Sequence, residues 1–151
     1  MLGEFMKNLI KIVLIFMVGC CATAFAHEGK VAFIKKITGD VLIKRGETIV
    51  VADVGGAIFK SDVLVTKAGS SAGIVFEDGT TIAVDQNTEC NIKDYLFEPE
   101  TNAYAFELYF KKGKAIYNSG RIGKLAPDKI SLVTPHAIVG TRGTHFIITV
   151  D

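Results

Sequence analysis

Cysteine is nearly absent from most of this chain. Of three cysteines in 151 residues, Cys20 and Cys21 lie in an apolar stretch near the N-terminus, and Cys90 alone follows it. A single thiol makes no intrachain disulfide and no cysteine-based zinc site, so the rest of the chain depends on its core. An excess of one charge is missing as well, with 17 basic residues against 16 acidic ones. Such a balance leaves no electrostatic footprint for nucleic acid or an anionic membrane. The uncharged run at residues 12–26, IVLIFMVGCCATAFA, has 15 residues, whereas a spanning helix takes about 20. Helical periodicity is absent too: no long window after His27 repeats its apolar residues every 3.6 positions.

What stands at the N-terminus has the layout of an export signal. Lys7 and Lys11 precede the apolar run, and Ala24-Phe25-Ala26 before His27 has the small-x-small form of a cleavage site. Residues 1–26 are therefore expected to be a signal peptide and residues 27–151 the mature domain, periplasmic or secreted. Removing Glu4, Lys7 and Lys11 leaves the charge balance intact. Two alternatives stay open. Met17-Val18-Gly19-Cys20 resembles a bacterial lipobox, which would lipidate Cys20 and anchor the protein in the envelope, although Met17 stands where that pattern prefers Leu. The uncleaved run would be a second kind of anchor.

The remainder reads as short strands. Residues 40–51, DVLIKRGETIVV, are two apolar runs around Arg45-Gly46, a hairpin signal. In residues 72–85, AGIVFEDGTTIAVD, Asp78-Gly79 suits a type I′ turn, with Ile74, Phe76, Ile82 and Val84 on one face. Residues 102–110 alternate Tyr104, Phe106, Leu108 and Phe110 on one side, leaving Glu107 and Tyr109 on the other. Lys112-Gly113 reads as a further turn, residues 119–128 as a surface loop, and residues 129–135 as a strand that Pro135 ends. Closely spaced strands of this kind imply an all-β fold, either a β-sandwich or a β-solenoid. GDVLIK at residues 39–44 and SDVLVTK at residues 61–67 look alike, as two coils of a solenoid would.

The order of these pieces resembles the FecR domain. The segments that carry the resemblance run from Gly39 to Val150: GDVLIKRG, the long stretch containing Phe76-x-Asp78-Gly79-Thr80, GKAIYN, and finally TPHAIVGTRGTHFIITV. The family signature falls on Thr134, Pro135, Ala137, Arg142, Gly143, Thr144 and Phe146. The resemblance implies a domain of the bacterial envelope that works by protein contact or signal relay, with another envelope protein as partner. Signalling members carry a cytoplasmic helical segment ahead of a membrane span. Here about ten residues precede the apolar run, too few for such a segment, so an anti-sigma role is not expected.

No constellation for chemistry accompanies the resemblance. HExxH, GxSxG and the P-loop pattern do not occur, and His136 and His145 are spaced for opposite faces of a strand. The expectation is a protein that is not an enzyme, takes no cofactor or metal, and binds no nucleic acid. Tyr109 is the candidate partner contact, and Tyr95-Leu96-Phe97 a second candidate patch. A small-ligand or glycan sensor is the alternative function. Arg142 lies between Gly140 and Gly143 in a chain that otherwise favours lysine, and a planar guanidinium there suggests a structural clamp. Asp62 and Asp78 are its candidate partners.

Overall fold

Among the described residues, β-branched and aromatic residues alternating with polar ones build twelve strands. The computed structural model describes residues 2–3, 29–140 and 145–151. Most of the expected signal segment, Cys20 included, and Arg142, Gly143 and Thr144 lie outside the described residues.

The strands are β1 (Ala32–Thr38), β2 (Val41–Arg45), β3 (Thr48–Val51), β4 (Ala57–Ile58), β5 (Val63–Thr66), β6 (Ser71–Phe76), β7 (Thr81–Val84), β8 (Glu89–Glu98), β9 (Ala103–Asn118), β10 (Ile130–Val133), β11 (Ile138–Gly140) and β12 (His145–Val150). They form one mostly antiparallel sheet in the order β3-β2-β5-β8-β9-β7-β6-β1-β4, curled into a half-barrel. β10 joins β9 in parallel and carries β11, while β12 joins the far end of β9. The all-β expectation holds at this level. The two similar segments lie in β2 and β5, which pair antiparallel with Val41 opposite Thr66. Successive solenoid coils would run parallel, so the likeness of these segments is not a solenoid repeat.

β9 organises the sheet. Its first part pairs with β8 and its second part with β7 and β12. The expected turn at Lys112-Gly113 is not a turn: the strand continues through it for 16 residues. Gly113 has φ +100, and a Cβ there would lie 2.3 Å from Thr88 Oγ1. Thr88 fills that space, accepting the Lys114 amide at 3.1 Å and donating to the Lys114 carbonyl at 3.2 Å. The glycine thus bends one strand from the first part of the sheet into the second.

The curl brings inward faces together. Phe76 on β6 meets Phe106 on β9 at 5.0 Å between ring centroids and Tyr95 on β8 at 5.3 Å. Tyr117 stands 5.8 Å from Phe106 and stacks on Phe146 at 4.7 Å. Burying each such ring contributes about 1.5–3 kcal/mol, and each pair adds about 0.5–1.5 kcal/mol. Ile74, Phe76, Ile82, Val84, Phe106, Leu108 and Phe110 are all buried, as their alternation requires.

Three local expectations are corrected. Among non-glycine residues Asp78 does not take a positive φ, whereas Gly79 does at +84. Phe76 N–H donates to the Thr80 carbonyl at 2.9 Å, so the loop is the three residues 77–79 closed by a left-handed glycine, not a two-residue type I′ turn. Residues 119–128 are not a plain surface loop: Arg121–Leu125 form a short helix (α1), followed by a 3-10 turn at Pro127–Lys129, and Ile122 is fully buried. Tyr95 is buried rather than part of an exposed patch, and Phe97 packs against Tyr104, leaving Leu96 exposed.

Candidate functional site on the outer sheet face

Two kinds of site residue separate once the strands are placed: those that tie the fold together and those that face outward.

Asp78, Gly79 and Thr80 belong to the first kind. Asp78 is 1 % exposed. Its carboxylate accepts the Thr80 amide at 3.1 Å, the Thr80 hydroxyl at 2.7 Å, the Tyr95 hydroxyl at 3.3 Å and the Ile122 amide at 3.1 Å. In return the Tyr95 oxygen accepts the Asp78 amide at 2.9 Å. Thr80 Oγ1 accepts the Gly120 amide at 3.0 Å, and a Cβ on Gly120 would lie 2.3 Å from Thr80 N. Four donors compensate the burial of this carboxylate. Burial, reinforced by the charge of Asp78, pushes the Tyr95 hydroxyl well above its ordinary pKa.

Thr134 is likewise structural, and Pro135 lies in the turn that it closes. Thr134 Oγ1 accepts the Ala137 amide at 3.0 Å, and Thr134 N–H donates to the Ala137 carbonyl at 2.8 Å, which closes the turn between β10 and β11. Phe146 supplies the ring stacked on Tyr117. Arg142, the expected clamp, lies outside the described residues. Of its two candidate partners, Asp62 is engaged elsewhere. Arg45 donates to both its oxygens, at 2.9 Å and 2.7 Å, and to the Ala57 carbonyl at 3.1 Å. Asp62 also accepts the Phe59 amide at 2.9 Å. The guanidinium stacks 4.4 Å from the Phe59 ring centroid. Sequence reasoning missed this fork, although the argument from scarce arginine applied to Arg45 as well as to Arg142. What it lacked was the β2–β5 pairing that brings Arg45 and Asp62 together.

Tyr109 is of the second kind. Its strand alternation points it away from Leu108 and Phe110, onto the outer face, where it is half-buried. There it belongs to a cross-strand row in which each residue is the register partner of the next: Ile49, Lys44, Val63, Asn91, Tyr109, Val133 and Ile138. Val63, Glu89, Asn91, Lys93, Tyr109 and Lys111 line a shallow groove of about 100 Å³ on this face. Lys93 Nζ stands 5.7 Å from the Tyr109 ring centroid. Glu89 lies between Lys44 and Lys111, 3.7 Å from each. Asn91 Oδ1 has no hydrogen-bond partner. Of the two histidines considered as ligands, His145 bonds Asn118 through Nδ1. Among the described residues no three His, Cys, Asp or Glu side chains gather as a metal site would require. Also among the described residues, no helix is long and apolar enough to cross a membrane.

Comparison with known families gives one result. The model of the FecR protein family matches residues 62–151. This chain belongs to the FecR family. The match begins at Asp62, later than the Gly39 suggested by sequence resemblance, yet β1 and β2 ahead of it pair with β6 and β5 inside it. The FecR sheet here therefore includes strands that precede the matched region. No curated protein and no solved structure matches the chain.

Proposed function

We propose that this FecR protein is an exported, non-enzymatic module of the bacterial envelope that works by protein contact, as an interaction or signal-relay domain. The processed domain is residues 27–151, located in the periplasm or secreted, or lipid-anchored if Cys20 is modified. The observation that carries the reading is the outer row centred on Tyr109. It presents an aromatic ring and aliphatic side chains on the outer sheet face, with the ion pairs of Glu89 beside them, an apolar patch with a polar surround as at protein interfaces. The use of Asp62 and Asp78 in structural bonds supports the non-enzymatic part, because the buried carboxylates are already held by fold-building donors. The partner is another envelope protein; nucleic acid has no matching charge surplus.

The test is a photoreactive residue placed at Tyr109 of the full chain in the source cell. A single dominant crosslinked envelope protein is expected, and Tyr109→Ser should abolish its co-isolation while leaving the melting temperature unchanged. Recovery of the chain without any crosslinked protein would overturn the reading and favour a small-ligand or glycan sensor, which ligand-dependent melting then tests.

A further inference from the structure

β3 ends the strand order, and its outer edge has no partner among the described residues. The β2–β3 hairpin closes through Gly46-Glu47, with Arg45 opposite Thr48. At the other end the Ala52 amide donates to the Val41 carbonyl at 3.0 Å. Hydrogen-bonded pairs alternate along an antiparallel ladder. Thr48, Val50 and Ala52 therefore spend their backbone groups on β2, and those of Ile49 and Val51 point outward. Among the described residues no other element pairs with β3. All four β3 residues are exposed, with Ile49 at 63 % and Val51 at 69 %.

Edge strands are ordinarily blunted by lysine, proline, a bulge or an inward charge. β3, with the sequence TIVV, has no charge and no proline, and its register with β2 is unbroken. β4, at the opposite end of the path, is only two residues long.

We infer that β3 pairs edge to edge with β3 of a second copy of this chain, antiparallel about a two-fold axis at Val50. Self-complementarity selects this occupant. The two residues with outward backbone groups are two apart, so Ile49 of each copy faces Val51 of the other, and both make ladder pairs. The strand has no charge to repel its own copy, and its β-branched side chains suit cross-strand packing. Glu47 and Asp53 flank the seam and would meet only at its ends, so the pairing should tighten as salt screens them. A seam of four residues falls in the smallest class of interface, below about 1,200 Å², so the dimer is weak and concentration-dependent. The inference does not depend on what the face around Tyr109 binds.

Cysteine scanning in the full chain tests it, with the unmodified protein giving the background from its native cysteines. Val50→Cys places two thiols at a non-hydrogen-bonded pair, where Cα atoms are about 4.5 Å apart, within disulfide reach. A disulfide-linked homodimer is expected for Val50→Cys and none for Ile147→Cys, which is also exposed but lies on β12. Adding Val51→Pro removes one outward amide while sparing the bonds to β2, and Val51→Lys keeps the amide but adds charge at the seam. Each should abolish the linked dimer at an unchanged melting temperature. The proposal is overturned if Val50→Cys gives no homodimer above background, if the homodimer survives both changes at Val51, or if Val50→Cys links to a different protein instead.

Discussion

Asp78 and Ile122 are 44 positions apart, yet the Asp78 carboxylate accepts the Ile122 amide at 3.1 Å. The neighbouring Arg121 amide donates to the Asp78 carbonyl at 2.8 Å. One residue of the β6–β7 turn thus holds the first turn of α1 from both its backbone and its side chain. Ile122 is thereby carried into the core, where it is fully buried. The family's Asp-Gly-Thr motif is in this chain a joint between a hairpin and a distant helix.

Loss of that joint should be severe. Asp78→Ala leaves the buried amides of Thr80 and Ile122 and the hydroxyls of Thr80 and Tyr95 without their acceptor. At about 1–3 kcal/mol for an unsatisfied buried group, with local relaxation, a loss of about 3–4 kcal/mol is expected in urea unfolding. Asp78→Asn retains one acceptor oxygen but turns an NH₂ toward donors, so it should cost less than alanine and still exceed 1 kcal/mol or so. An asparagine variant as stable as the parent would show that the carboxylate is dispensable.

Arg45→Ala should destabilise by about 2 kcal/mol. That lies below the 3–5 kcal/mol for breaking a wholly buried pair, because the Arg45 side chain is 40 % exposed while that of Asp62 is 2 % exposed, so water reaches one partner. Arg45→Lys should recover less than half of the loss, because a single ammonium cannot donate in parallel to both oxygens or stack on Phe59. Equal stability of the lysine variant and the parent would argue against a fork requirement.

Two glycines with positive φ should respond differently to alanine. Gly46, at φ +58, has nothing within 4 Å of an added Cβ, so Gly46→Ala should cost about 1 kcal/mol from backbone strain alone. Gly113→Ala meets both φ +100 and the Thr88 side chain. Strain and overpacking together should cost about 3 kcal/mol or more. Denaturant midpoints of the two variants measure the difference directly.

Stability should fall at alkaline pH. Burial raises the pKa of the Cys90 thiol and of the Tyr95 and Tyr117 hydroxyls in the folded state. For an acid whose folded pKa is raised, the unfolded chain releases its proton first, so stability is complete below the unfolded pKa and declines above it. The decline should begin near pH 8.5, where an unfolded thiol titrates, and steepen near pH 10 with the phenols. Cys90→Ala should remove the first part of the decline. Phenolate absorbance from Tyr95 and Tyr117 should appear only together with unfolding, and its appearance in the folded protein would contradict their burial.

Much of this architecture was legible from alternation alone. Phe106, Leu108 and Phe110 face the core and Tyr109 faces out, as period-2 spacing demands. Local signals failed where a distant partner decides the conformation. Lys112-Gly113 has turn chemistry, but its glycine serves a bend shaped around Thr88, which lies just ahead of β8. α1 is too short to display a helical period, and Ile122 is its one buried residue. The Arg45–Asp62 fork ties β2 to the residue just ahead of β5, and no local pattern announces the pairing of those two strands. Asp78 was recognised as a turn residue, yet its burial follows from Tyr95 and Ile122, both far from it in the chain.

The passage of β9 through both parts of the sheet has a mechanical consequence. The backbone that bears Tyr109 also bears Tyr117, on the two sides of the bend at Gly113. One covalent strand therefore joins the outer face at Tyr109 to the neighbourhood of β12. A load applied to one half of the sheet is thus carried to the other by main-chain bonds, and side-chain contacts between the halves need not bear it alone.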